Sequence, residues 1–541
     1  MPDLSAITTL VIEANPNMRT QLRNMLGDSG IERIQLAVSA GAAVRKLREQ
    51  TFDLILCEYH LGDGQDGQHL LEDLRHNNII PLRTLFIMVT GERQYEKVIS
   101  AAELAPNDYV LKPFAVDTLH NRIARAVIKR AAFMPAYRLI EAGDTRGALS
   151  ECLEAERRHP HYLIDFMRLR AELHIAAGEA DEAEALYKRV LEERATPWAR
   201  LGLAKALFIK QHYPQAEALL AGLVAENENY LDAYDWLART REAAGQLETA
   251  RDVLLRANTV SPNRLARLRR LGTIALDLGD PGGAENVLSE VVRKGKYSDF
   301  RDPADHVWLM HAQIGSGKLE DAAATLRDLD KSMGATDTGR LCTAMSSAML
   351  HQRLGDSDKA RAAAKAALQA STKLPGMSTG LKHELARTCF DNGMDDEGST
   401  VVLDILRTEE NPRNIQKTRQ MLEAGGRSDL ATQLEKRIHE EVRLLVSVGA
   451  EKAKAGDYDG AVEEMLNAAR KMPNNSHVMF NAALALLRHI ENLGWNEPFA
   501  EQARQLIDRV RRQDPANPRL PALGDFLRKL QVKFGISQVK V

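Results

Sequence analysis

The stretch Asp53–Gly67 reads DLILCEYHLGDGQDG, an apolar run that ends on a carboxylate, Glu58, and passes into a turn rich in glycine and aspartate. Leu54 to Cys57 lack the polar alternation of a half-exposed strand, which suits a strand buried on both faces of a parallel sheet. Working outward, similar short runs recur: TLVI from Thr9 to Ile12, IQLA from Ile34 to Ala37, TLFIMV from Thr84 to Val89 and DYVL from Asp108 to Leu111. Amphipathic stretches separate them, such as Met18, Leu22, Met25 and Leu26 at helical spacing. Strands alternating with helices over about 125 residues predict an open α/β sheet. In such a sheet the functional crevice opens at the carboxyl ends of the strands. Those ends read, in order, Glu13-Ala14, Glu58, Thr90-Gly91 and Lys112-Pro113, so carboxylates, a hydroxyl and a lysine converge.

This ordered set resembles the receiver domain of bacterial two-component response regulators. The resemblance is carried by LVIEANPNMR, DLILCEYHLGDGQDG, MVTG and NDYVLKPF, and a domain over residues 4–130 is expected from it. It implies a flavodoxin-like (CheY-like) α/β fold. It also implies roles for particular positions. The acidic pair that helps hold Mg²⁺ in receivers falls on Glu13-Ala14, and the phosphoaccepting aspartate falls on Glu58. The switch hydroxyl is Thr90, the lysine that contacts the phosphoryl group is Lys112, with a cis bond before Pro113, and the rotating aromatic is Tyr109.

Two departures bear on chemistry. Mg²⁺ requires near-octahedral oxygen ligation from carboxylates and substrate phosphate. Ala14 removes one ligand or its orienting partner, which weakens any metal site left at Glu13 and Glu58; no cofactor is expected. Glu58 is one methylene longer than aspartate, and a misplacement of about 1 Å can cost roughly 100-fold in a positioned reaction. The loop HLGDGQDG is also longer by one residue than the usual receiver loop. The expectation is a pseudo-receiver in which ordinary aspartyl phosphorylation does not occur. Glu58 could imitate the phosphorylated state by pairing with Lys112, but only in part: it carries a single charge, against about −1.5 to −2 for a phosphoryl group. Asp63, Gln65 and Asp66 break the spacing of an EF-hand loop, so DGQDG reads as a turn.

Beyond Phe133-Met134-Pro135 the strand signal ends and a repeat begins. A Gly is followed five residues later by a small residue opening an apolar helix: Gly143/Ala148, Gly178/Ala183, Gly245/Ala250, Gly279/Ala284, Gly317/Ala322, Gly355/Ala360, Gly393/Gly398 and Gly456/Ala461. Ala216 has the small residue without its Gly. Most markers advance by roughly 33 to 38 residues, close to the tetratricopeptide period of about 34. Pro160, Pro262, Pro473 and Pro515 close second helices. The segment AEKAKAGDYDGAVEEMLNAARKMPNN, starting at Ala450, is the clearest copy. These residues resemble tetratricopeptide repeats, which implies an all-α superhelix of about nine to ten repeats over residues 135–515, followed by a capping helix and tail over 516–541. The stretch Asn414 to Val446 is the weakest and reads as an atypical long-helix pair.

Composition narrows the function. Lys and Arg number 72 against 75 Asp and Glu, a net charge of −3, and aromatics are 5%, which speaks against a nucleic-acid surface. The cysteines Cys57, Cys152, Cys342 and Cys389 form no C-x-x-C pair, so neither zinc nor a disulfide framework is expected. The start lacks the pattern of a signal peptide and no apolar stretch suffices to span a bilayer, so a cytoplasmic protein is expected. The basic run RLARLRR, Arg264–Arg270, reads as a solvated helix face, and His174, His306 and His311 as helix-face residues outside any ligand cluster. The Lys and Asn pattern with which some arrays clamp a C-terminal carboxylate is absent. With no G-x-S-x-G or Walker loop, the output is expected to be non-catalytic. The expected protein is a signalling adaptor in a phosphorelay-type pathway, binding partner proteins through its array, with room for a homodimer through receiver or array. Two alternatives stand beside it: a conventional phosphorylation-controlled regulator, and a transcription regulator contacting nucleic acid.

Overall fold

The computed structural model describes residues 3–62, 66–91, 106–262, 264–296, 301–374, 376–409, 412–514 and 517–536. Asp63 and Gln65 of the turn, the stretch between Gly91 and Pro106 where a fourth receiver helix is expected, Pro515 and the tail beyond Ile536 lie outside the described residues.

The N-terminal part is a parallel sheet of order β2-β1-β3-β4-β5, formed by β1 (Thr8–Ile12), β2 (Arg33–Ala37), β3 (Leu54–Glu58), β4 (Leu85–Thr90) and β5 (Asp108–Leu111). Because successive side chains of a strand point to opposite faces, the uninterrupted apolar runs supply two cores. Ile55, Cys57, Phe86 and Met88 meet Val44, Leu47, Leu70 and Leu74 of helices α2 (Ala40–Glu49) and α3 (Gly67–His76). Leu54, Leu56, Ile87 and Val89 meet Leu22, Leu26, Leu119 and Ile123 of helices α1 (Pro16–Asp28) and α4 (Val116–Glu141). Local signals start the helices: Asn15 accepts from the N–H groups of Asn17 and Met18, Ser39 from Ala42, and Asp66 from His69. The order places β1 between β2 and β3, which is the topological switch point where a crevice opens.

Helix α4 runs unbroken through Pro135 and crosses the expected boundary between residues 130 and 135. Its last turns already belong to the repeats: Phe133 stacks on Phe166 with ring centroids 3.9 Å apart. From there the chain is helical, with pairs such as Thr145–Arg158 and Leu163–Ala177, or Leu265–Asp277 and Pro281–Gly295, joined by tight turns. The missing glycine before Ala216 is explained: Gln211 takes the left-handed turn conformation itself, at φ 60°. Small residues permit close helix approach, since a Cβ on Gly272 would stand 2.6 Å from the Leu288 side chain. The atypical segment consists of Pro412–Ala424, a turn at Gly426 with φ 71°, and the 27-residue helix Ser428–Lys454, which closes one repeat and opens the next. The helix Leu520–Lys533 is the last among the described residues, with Leu520, Leu523, Leu527 and Leu530 buried.

The chain divides into two compact units, one of residues 1–176 and 180–302 and the other of residues 177–179 and 303–540. Among the described residues no helix is long and apolar enough to cross a membrane.

Candidate functional site

The crevice at the strand ends brings Glu13, Glu58 and Lys112 together. Glu13 is 3% exposed and Glu58 8%. The Lys112 ammonium lies 3.0 Å from Glu13 Oε2 and also bonds Glu58 Oε2. The remaining oxygens are engaged by backbone: Asn15 N–H donates to Glu13 Oε1 at 2.9 Å, and His60 N–H to Glu58 Oε1 at 3.2 Å. Burial alone would lower the lysine, but the hydrogen bond and charge of Glu58, then those of Glu13, outweigh it and raise Lys112 above its ordinary value. Burial, followed by the charges of Glu58, Asp66 and Glu13, pushes the adjacent Cys57 thiol well above its usual range, so it is not a reactive thiolate.

Ala14 contributes its carbonyl, which accepts from Arg19 Nη1 at 3.1 Å, and no side-chain donor. Thr90 is fully buried at the end of β4, and its carbonyl accepts from Lys112 N–H at 2.7 Å. Tyr109 is half-buried and packs against the core beneath α2 and α3, with the Arg122 guanidinium 6.0 Å from its ring. The Lys112–Pro113 bond is cis. Among the described residues no group of three or more His, Cys, Asp or Glu is arranged to hold a metal ion.

A second polar cluster adjoins this crevice, and sequence reasoning misplaced it. The run Arg264–Arg270 is not a solvated face. Arg267 is 2% exposed and bonds Asp235 through Nε at 2.9 Å, while Arg264 reaches Asp235 at 2.6 Å and Glu72 of α3 at 3.2 Å. Burial works against the Asp235 carboxylate, yet Arg267 and Arg264 hold it below its ordinary value. On the receiver side His69 lies with Nδ1 2.8 Å from Asp66 Oδ2 and Nε2 3.2 Å from Ser261 Oγ. Asp66 thus caps α3 and orients the imidazole that faces the array. The one available signal was Asp66 three residues before His69, a cap with an ionisable partner; nothing local to Arg264 names Glu72. His174 and His306 are buried within the array, not spread on its faces.

The fold and crevice define a receiver-type α/β domain on a helical repeat array. Residues 9–124 match the family model of the response regulator receiver domain, and residues 133–197 and 174–239 match tetratricopeptide repeat models. The chain therefore carries a response regulator receiver domain fused to tetratricopeptide repeats. It is similar to chemotaxis protein CheY-3 of Vibrio cholerae serotype O1, 28% identical over 114 residues, which is 21% of this chain and 86% of that protein. It is also similar to chemotaxis protein CheY of Pseudomonas aeruginosa, 28% identical over 116 residues, 21% of this chain and 92% of that one. Among solved structures, a tetratricopeptide repeat protein from Parabacteroides merdae is 13% identical at a TM-score of 0.34, covering 48% of this chain and 97% of that one. A thermophilic tetratricopeptide repeat protein of Thermus thermophilus is 24% identical at a TM-score of 0.25, covering 33% of this chain and 96% of that one.

Proposed function

We propose that the protein is a signalling regulator whose receiver domain works without aspartyl phosphorylation and whose array binds partner proteins as a non-catalytic adaptor. The observation that carries this reading is the Lys112 ammonium bonded to both Glu13 and Glu58. A cation already bonds both carboxylates, and their other oxygens accept backbone N–H bonds. Mg²⁺ binding would have to displace the ammonium and find a third donor where Ala14 has none. The donor set does not fit the metal. Glu58 is also one methylene longer than the aspartate that accepts phosphate in receivers, and displacement of a positioned group by about 1 Å forfeits roughly 100-fold. Tetratricopeptide repeats supply extended protein-binding surfaces, which supports the adaptor role of the array.

The test is incubation with acetyl phosphate and Mg²⁺ followed by intact-mass spectrometry. The expected result is an unmodified chain. Stoichiometric acid-labile phosphate, lost in Glu58→Gln, would overturn the reading and favour the conventional switch.

A further inference from the structure

Helix α3 has two faces. Leu70, Leu71 and Leu74 are buried in the receiver core, while Asp66, His69, Glu72 and Asp73 lie along its polar edge. That edge meets the array at the start of the helix Leu265–Asp277: His69 Nε2 lies 3.2 Å from Ser261 Oγ, and Glu72 Oε2 lies 3.2 Å from Arg264 Nε. Asp73 sits within the field of Arg269 and Arg264. On the array side the basic residues are held ready by Asp235, which bonds both Arg264 and Arg267. An acidic helix edge is thus seated on a preorganised basic patch.

The same helix is rooted at the crevice. Gly67 N–H donates to Tyr59 O at 2.7 Å, His60 and Asp66 form a bridge, and a Cβ on Gly67 would stand 2.6 Å from Glu58 O. Movement of the chain just after Glu58 must therefore be felt at the N-terminus of α3. The contacts that seat α3 on the array are polar side-chain pairs, which break at modest cost, whereas its other face is anchored by leucines.

We propose that α3 is an internal ligand of the array: its acidic edge occupies the basic patch around Arg264, and an acidic helical segment of a partner protein gains that patch only when α3 is released. This rests on the array being a partner-binding surface, and it names the chemistry of the partner and how the receiver controls access.

Hydrogen exchange on the full chain reads the internal contact whatever the array binds. Glu72→Gln and Arg264→Gln should each speed exchange about fivefold in both Asp66–Asn77 and Ser261–Arg270, and the double variant should add little more. Unchanged exchange in both single variants, or fully additive effects, would overturn the internal contact. The patch is read separately with a fluorescein-labelled, helix-stapled peptide of sequence DGQHLLEDLRHN, residues Asp66–Asn77. His69→Ala/Glu72→Gln protein should bind this probe about tenfold more tightly than the unaltered chain, and adding Arg264→Gln should remove the gain. Equal binding by all three proteins would overturn the proposed patch. Phosphate incorporation at Glu58 would overturn the proposed function while leaving both readouts interpretable. Melting curves of each variant show whether the fold survives the substitution.

Discussion

Lys112 stands 3.0 Å from Glu13 although 99 residues separate them in the chain, and the same ammonium bonds Glu58. One half-buried cation thereby bridges two buried carboxylates at the ends of different strands and offsets one of their two charges. Removing it would leave an uncompensated acidic pair, and a broken buried ion pair typically costs 3–5 kcal/mol. Lys112→Met is expected to destabilise the protein by about 3 kcal/mol in urea titration, and Glu58→Gln in the same chain to recover part of that loss. A Lys112→Met protein as stable as the original would refute the pairing.

Restoring the aspartates tests the chemistry from the other direction. The double variant Ala14→Asp/Glu58→Asp supplies the missing donor and the shorter side chain. It should take up acid-labile phosphate from acetyl phosphate and Mg²⁺ where the unaltered chain does not, as read by intact mass. Failure of both proteins to react would show that the longer loop after Glu58, not these two residues, prevents the reaction.

His69 couples the junction to pH. Burial by itself would lower the imidazole, but the Asp66 hydrogen bond and charge, with Glu72, outweigh it against the opposing Arg264, and His69 is raised above its ordinary 6.5. A histidine favoured in its protonated form stabilises the folded state fully below that ordinary value, and the contribution fades as pH rises through the raised one. Hence His69→Gln should lower the melting temperature more at pH 5.5 than at pH 8.5. A difference independent of pH would mean that the protonated ring is not what binds.

Asp73 behaves oppositely. Burial, offset in part by His69, Arg269 and Arg264, pushes its carboxyl up to about 6. Ionising it in the folded state costs free energy, so stability falls as pH rises from the unfolded value near 3.8 through 6. Asp73→Asn should therefore stabilise the protein by about 1 kcal/mol at pH 7.5 and by nothing measurable at pH 4, as urea titrations at the two pH values would show.

Gln211 offers a check on the repeat turns. It holds a left-handed φ of 60° where the corresponding turns at Gly245 and Gly279 use glycine. A side chain there costs strain that glycine escapes, partly offset by the entropy of a freer unfolded chain. Gln211→Gly is expected to stabilise the array by about 0.5–1 kcal/mol. A destabilised variant would show that the Gln211 side chain has a packing role of its own.

What the residues decided alone was local. The central strands β1, β3 and β4 were legible because both their faces are buried, which demands uninterrupted apolar runs. The edge strands β2 and β5 followed as short, half-buried apolar runs, and the strand ends named Glu13, Glu58, Thr90 and Lys112 through their order along the chain. The repeats were legible because tight helix turns and close helix approach restrict residue type at fixed spacing, so Gly and Ala recur. The tertiary structure decided the pairings of charges. Lys112 takes both carboxylates across 54 and 99 residues, and His69 meets Ser261 across 192. It also decided that α4 continues through Pro135 into the repeats, where the sequence suggested a boundary, with Phe133 packed on Phe166. A periodic pattern states which face of a helix is buried, but the partner of an arginine depends on which distant surface folding brings beside it. That is why Arg264–Arg270 read as solvated, while in the folded protein Arg267 lies inside the array and Arg264 reaches across to the receiver.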